Sequence, residues 1–527
     1  MTATKVIDQK PDLQQSDAAS YGNGKLEPVL TLDDDDRLAQ IGHAQELRRD
    51  FSVWSVMNLI LCLMATWEAL STVISTALTT GGAPCLFWNL LVSVICSIAI
   101  ALSLGEIASI YPTAGGQYHW VAALSPPATR SVASWSVGWI NVGGQIVLSA
   151  AAAFAGSLQI LGVVILNDDT YALKRWQGLL LYWAILIYGA AINIWGSRLL
   201  PATNNISGVI HLVGLVVIMI VLGVMSEKNT SSFVFLEVTN SSGWSNDGVS
   251  WLVGLLSTVY PLLGYDAACH LSEEIPHASR NVPLAMIGSV TVNGIMGLGY
   301  CILLLYCTGP LDELLSTPTG FPFIQIFYNA TNSYAGATIL SLFVIIIAIA
   351  ATAAIITSAS RTFWAFARDK GTPFSGYFAH VNQSSQIPVR AVVAVTVVQM
   401  LLGFIYLGNT TAFNAIMSMS ILAVYASYLV PIIYFMIYGR PKLAKHQLGH
   451  FKLPKTLGLC LNILSCCWLV LAMVFSTFPG VMPVTPQNMN YSSVVMVGWM
   501  FIGYVYYAIK GRKQFEVPVV TNEARGL

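Results

Sequence analysis

The chain has 527 residues, 55% hydrophobic and only 9% charged, with Lys and Arg balancing Asp and Glu to a net charge of zero. A soluble protein of this length would divide into several domains and carry about 25% charged residues, so the composition excludes a soluble globular protein and indicates a polytopic membrane protein. No basic stripe supports nucleic-acid binding; the nine cysteines show no paired ligand spacing, so neither structural zinc nor a disulfide framework is expected, nor any cofactor.

Residues 1–50 are polar, with an acidic run Asp33-Asp34-Asp35-Asp36, and read as a solvated cytoplasmic tail. No apolar leader precedes Phe51. Leu38, Ile41 and Gln45 repeat at helical spacing, so residues 37–51 are expected to lie against the cytoplasmic face as a short amphipathic element. From 51 to 510 come apolar runs of spanning length at 53–78, 86–110, 132–158, 178–194, 206–225, 249–272, 283–307, 335–363, 388–407, 412–437, 457–478 and 493–508. The expected fold is therefore all-α, with twelve transmembrane helices and a second cytoplasmic tail at 511–527. Of the 25 Lys and Arg, only Lys174, Arg175 and Lys228 fall in loops on the far side. The positive-inside bias then puts both termini in the cytoplasm.

Two runs are interrupted by groups that do not belong in lipid. The sixth holds Tyr260-Pro261-Leu262-Leu263-Gly264-Tyr265-Asp266, where Pro261 removes an N–H, Gly264 loosens the backbone and Asp266 brings a carboxyl to membrane depth. The first holds Trp67-Glu68-Ala69-Leu70-Ser71-Thr72, and Glu68 is the only charge between Phe51 and Ala101. Breaks in spans one and six fit a five-plus-five inverted repeat with its substrate site at the midplane: 53–225 the first repeat, 249–437 the second, 457–508 the last two spans. Glu68 and Asp266 are expected to face one cavity there, with Trp67, Ser71, Tyr260, Gly264 and Tyr265 around it.

Three motifs carry a family resemblance. Gly105-Glu106-Ile107-Ala108-Ser109-Ile110-Tyr111-Pro112-Thr113-Ala114-Gly115-Gly116-Gln117-Tyr118-His119-Trp120 resembles the inner-loop motif of the amino acid–polyamine–organocation superfamily. Asp266 followed by Glu273-Glu274-Ile275-Pro276-His277-Ala278-Ser279-Arg280-Asn281-Val282-Pro283 resembles its sixth-span tail, and Ser360-Arg361-Thr362-Phe363-Trp364-Ala365-Phe366-Ala367-Arg368-Asp369-Lys370-Gly371 its stretch after span eight. The lead-in at 38–51 and the ending Gln117-Tyr118-His119-Trp120 resemble the fungal branch of amino acid, GABA and choline permeases.

The resemblance implies a LeuT-like secondary transporter in the plasma membrane, importing a small amine or amino acid. A polyamine carrier and a nutrient sensor of the same fold are the alternatives. Glu106, Glu273 and Glu274 are expected to pair with Arg280, Arg361 or Arg368 as a cytoplasmic gate. One departure matters: Trp67-Glu68-Ala69-Leu70 replaces the glycine-rich break that holds a substrate carboxylate in many members. A carboxylate beside Glu68 is repelled unless Glu68 is protonated, whereas a cationic amine is attracted. Sodium sites in this fold use span-eight hydroxyls, here Thr357 and Ser358, whereas proton-coupled relatives use a titratable group on span five. Here that position offers His211, the only ionisable residue between Arg198 and Glu227. Proton coupling through His211, Glu68 or Asp266 is expected, with sodium the other possibility.

Overall fold

The computed structural model describes residues 38–39, 43–168, 170–196, 200–442 and 449–518. The acidic run at 33–36 and Ile41 of the expected amphipathic element lie outside the described residues. Eleven helical segments among the described residues are long and apolar enough to cross a membrane, and the first, Val53–Ile110, is 58 residues long. One crossing needs only about 20 residues. This segment is interrupted at Gly82 (φ 74, ψ −163), with Pro84 just beyond, which divides it into spans 1 and 2. Twelve crossings result. Spans 3 to 7 are Pro127–Asn167, Arg175–Ile194, Leu200–Met225, Asp247–His270 and Ala278–Tyr306; spans 8 to 12 are Tyr334–Arg368, Val389–Gly408, Thr410–Gly439, Lys455–Phe475 and Ser492–Gln514.

Most helices run past their apolar stretches, because backbone hydrogen bonding continues into the polar interface. Span 12 is the clearest case: it continues to Gln514, beyond the expected end at 508, and the following Phe515 is buried against Phe366. The packing shows the repeat. Span 1 lies against span 6, span 2 against span 7, span 3 against span 8 and span 4 against span 9. Each is thus paired with the span five places later, as an inverted repeat requires.

Both breaks are present. Span 1 stops at Met64, Ala65 takes a left-handed conformation (φ 43, ψ 48), and a new helix starts at Thr66. Span 6 tightens into a 3-10 turn at Tyr260–Leu262, extends at Leu263 and turns at Gly264 (φ 93). The two breaks touch, since Thr66 Oγ1 donates to the Pro261 carbonyl at 2.8 Å.

A Cβ at position 264 would be strained by its φ and would overlap the Leu63 side chain. Gly264→Ala is expected to cost about 1–3 kcal/mol and to lower the thermal midpoint of the purified protein in detergent. Gly498→Ala, where an added methyl meets open space, should leave the midpoint unchanged or slightly raised.

Candidate functional site

The span 1 break opens a small cavity. Leu63, Ala65, Glu68, Thr72, Gln159 and Tyr260 line it, with Leu148, Ala351 and Ile355 on the far walls. Glu68 stands in the first turn of the helix that begins at Thr66, where the free N–H groups and the helix dipole favour a negative charge. Its Oε1 lies 2.7 Å from His211 Nδ1, while its buried Oε2 has no partner. The far nitrogen of His211, Nε2, lies 3.2 Å from Asn293 Oδ1, and Asn293 Nδ2 donates to the Leu61 carbonyl at 3.2 Å. A carbonyl only accepts, so the Asn293 amide is oriented by Leu61 and Nε2 of His211 carries a hydrogen. The short Nδ1–Oε1 contact then needs one more proton, held by the ring or by the carboxyl.

Several expected residues stand behind this wall rather than on it. Trp67 is fully buried, its ring 5.8 Å from His211 and 5.4 Å from Tyr300. Ser71 Oγ contacts the Tyr300 hydroxyl at 2.6 Å. Gly264 supplies the turn of span 6, and Tyr265 packs on Tyr428 at 5.3 Å.

Asp266 does not share the cavity, a correction to the expected pairing of carboxyls. The extended Leu263 and the turn at Gly264 swing it into a separate buried polar cluster. There it accepts from Gln117 Nε2 (2.7 Å), Tyr428 OH (2.5 Å) and Gln145 Nε2 (3.3 Å), and its Oδ2 lies 3.3 Å from His270 Nε2.

Thr357 and Ser358 are also turned away from the span 1 break. Thr357 Oγ1 donates to Asn193 Oδ1 of span 4 at 2.8 Å, and Ser358 Oγ meets Gln145 Oε1 of span 3 at 3.4 Å. Span 8 faces Ala65 with Ile347 and Ala351 instead.

Three ion pairs stand at the end of the bundle that the N-terminal segment reaches. Arg368 grips Glu273 through two 2.9 Å bonds, and Arg361 grips Glu274 at 2.8 and 3.3 Å. Glu106 does not pair with any of the three expected arginines; it pairs with Arg440, just past the end of span 10, and accepts from the Leu453 N–H at 3.0 Å. Arg280 is exposed and makes no ion pair among the described residues, because the helix of span 7 starts at Ala278 and carries it outward. The N-terminal segment reaches the same place. Gln45 Nε2 donates to the Glu273 carbonyl at 2.7 Å, and His43 Nε2 lies 3.7 Å from Asp369 Oδ1. Tyr118 OH donates to Asp369 Oδ2 at 2.7 Å, and the C-terminal Glu516 N–H donates to the Asp369 carbonyl at 3.0 Å. Burial pushes the Asp369 carboxyl up to about 6 and His43 down to about 3, the latter with help from the Arg368 charge.

The sequence reading missed Asn293, Gln159, His270, Arg440 and the amides of span 3. His270 follows Asp266 by four residues and Gln145 follows Asn141 by four, so each pair shares a helix face and could have been flagged. Nothing local marks Arg440 or Tyr428 as partners of distant carboxylates.

The profile of the family described as amino acid permease matches residues 51–502. A choline transporter of Saccharomyces cerevisiae is 30% identical to this chain, over 96% of it and 90% of the yeast protein. An uncharacterized amino-acid permease of Schizosaccharomyces pombe is 32% identical, over 93% and 90% respectively. An amino-acid permease of Arabidopsis thaliana is 29% identical, over 92% and 96%. Similarity that runs nearly end to end, on twelve spans with paired broken helices, assigns the chain to the amino acid permease family of integral membrane transporters.

Proposed function

We propose that the protein imports a small cationic amine of the choline type across the plasma membrane, with a proton carried on the Glu68–His211 pair and both termini in the cytoplasm. The observation that carries this reading is the buried Oε2 of Glu68, which has no hydrogen-bond partner among the described residues and lies in a cavity whose other walls are apolar apart from Thr72, Gln159 and Tyr260. A buried carboxylate oxygen without a donor is costly, and an ammonium or quaternary nitrogen would relieve that cost. Tyr260 offers a ring face to the same cation, and the alanines and leucines around it suit methyl groups. No Lys or Arg lines the cavity to hold a substrate carboxylate.

The carboxylate is two-sided in this reading. The proton belongs to the Oε1 side, where it holds Glu68 to His211 and aims Oε2 inward; the solute belongs to the Oε2 side. The choline transporter among the relatives agrees with a cationic solute. The bonding of Thr357 to span 4 and of Ser358 to span 3 favours a proton over sodium. A zwitterionic amino acid is the second reading. It is favoured by the Thr66 helix start, which has no side-chain cap and leaves N–H groups that could take a carboxylate.

Uptake of radiolabelled choline, GABA, neutral amino acids and polyamines in a permease-deficient strain tests the solute. Choline should be taken up, and Glu68→Gln should reduce its uptake by roughly ten- to a hundredfold at equal surface amount, since the quaternary nitrogen, which has no N–H to donate, loses an opposite charge worth at most about 4 kcal/mol at about 4 Å in an effective dielectric of about 20. Uptake of neutral amino acids alone would reject the cationic reading. Choline uptake should rise as external pH falls and be indifferent to sodium, and His211→Gln should flatten that profile; uptake that follows sodium and ignores pH rejects proton coupling.

The gate gives a separate expectation. Glu273→Arg should lower uptake per surface molecule several-fold, because breaking a buried pair costs about 3–5 kcal/mol. The swap Glu273→Arg with Arg368→Glu should restore part of it. Equal uptake in the single variant would remove Glu273 from the gating step.

A further inference from the structure

We propose that Asp266 and His270 form a second proton-binding site, on the cytoplasmic side of the core, whose proton holds the inner loop against span 6. His270 Nδ1 lies 3.1 Å from the Ala114 carbonyl, which can only accept, so Nδ1 carries a hydrogen. The other nitrogen, Nε2, faces Asp266 Oδ2 at 3.3 Å. A neutral ring would point a lone pair at that oxygen, so a hydrogen bond between ring and carboxyl needs one further proton.

The surrounding amides indicate where that proton sits. Gln117 gives its Nε2 to Asp266, which leaves its Oε1 to accept from Asn141 Nδ2 at 3.0 Å. The carboxylate thus orients a chain of amides, and it already receives donors from Gln117, Gln145 and Tyr428. That many donors favour the ionised carboxyl, which leaves the proton on the ring as an imidazolium. The unloaded state is provided for as well. When the proton leaves for cytoplasmic water, Nδ1 keeps its hydrogen, and the bare Nε2 lone pair can accept from Asn141 Nδ2, 3.4 Å away. Asp266 stays ionised on its three remaining donors.

The titratable groups facing the pair are Tyr428 of span 10 and Tyr265 and Cys269 of span 6. Spans 3 and 8 and the helix Gln117–Leu124 contribute amides and the Ser358 hydroxyl, and span 7 contributes Met286 against Cys269. The charged neighbours are reached through one residue. Ala114 accepts from His270 and donates its N–H to Glu273 Oε1 at 3.2 Å, and Glu273 is held by Arg368. The backbone comes close to the ring at Gly116 (φ 54), where a Cβ would stand 3.0 Å from His270 Cε1. An imidazolium binds the Ala114 carbonyl more strongly than a neutral ring, so loss of the proton loosens the loop that touches the gate. This transport consequence rests on the proton-linked reading above; the binding site does not.

Nitrogen-15 NMR of histidine-labelled, full-length protein in lipid nanodiscs tests the site, with His270→Gln identifying the resonances of this ring. Raising the pH across about 5 to 9, which brackets the ordinary histidine range, should convert those resonances from a doubly protonated ring to the Nδ1–H neutral tautomer. A ring that stays neutral throughout, or an imidazolium that never loses its proton, overturns the proposal. Asp266→Asn supplies a second identification should His270→Gln fail to fold: the same ring should then be neutral at every pH, and an unchanged titration overturns the proposal. If the ring titrates as expected while wild-type choline uptake ignores pH, the site stands and the coupling reading falls.

Discussion

A helix that breaks at the middle of a bilayer frees backbone N–H and C=O groups that lipid cannot satisfy, and here a side chain at one break satisfies a carbonyl at the other. Thr66 at the restart of span 1 donates to the carbonyl of Pro261 in span 6, and Asn293 of span 7 takes the Leu61 carbonyl just before the first break. The consequences reach the chemistry. The restart at Thr66 makes a helix N-terminus at membrane depth, which is where a carboxylate such as Glu68 is least costly. Asn293, recruited by the Leu61 carbonyl, then fixes the ring of His211, and His211 holds one side of Glu68. Backbone satisfaction and the ionisable pair are one construction.

The same logic is repeated with different parts at the other carboxyl. Glu68 and Asp266 each face one nitrogen of a histidine whose second nitrogen is committed to an oxygen acceptor. Glu68 opens onto a cavity through an unpartnered oxygen, whereas Asp266 is enclosed by amides and a tyrosine hydroxyl. Two carboxyls at similar positions in the two repeats have therefore been given different environments, one open to a cavity and one closed.

Spans, breaks and the isolated Glu68 were legible in the sequence because hydrophobicity, proline, glycine and charge are each local signals. The rotation of an element about its axis was not. Span 8 is nearly apolar on every side from Ile339 to Ile356, so nothing in it says that Ile347 and Ala351, rather than a hydroxyl, meet the first break. Asp266 was misplaced for a related reason. The 3-10 turn and the extended Leu263 between Tyr260 and Asp266 break the 3.6-residue register from which a face could have been read. The gate was half legible, since Glu273, Glu274, Arg361 and Arg368 lie in recognisable motifs, while Arg440 reaches Glu106 from a stretch with no such mark.

The N-terminal segment carries a further mechanical meaning. Gln45 is bonded to the Glu273 carbonyl at the foot of span 6, and His43 faces Asp369 at the foot of span 8. These are the two sides joined by the Glu273–Arg368 and Glu274–Arg361 pairs. Only Ala44 separates His43 from Gln45, so the chain just ahead of span 1 bridges the seam that the two ion pairs close. A relative shift of the two feet would be transmitted first to the backbone that leads into span 1.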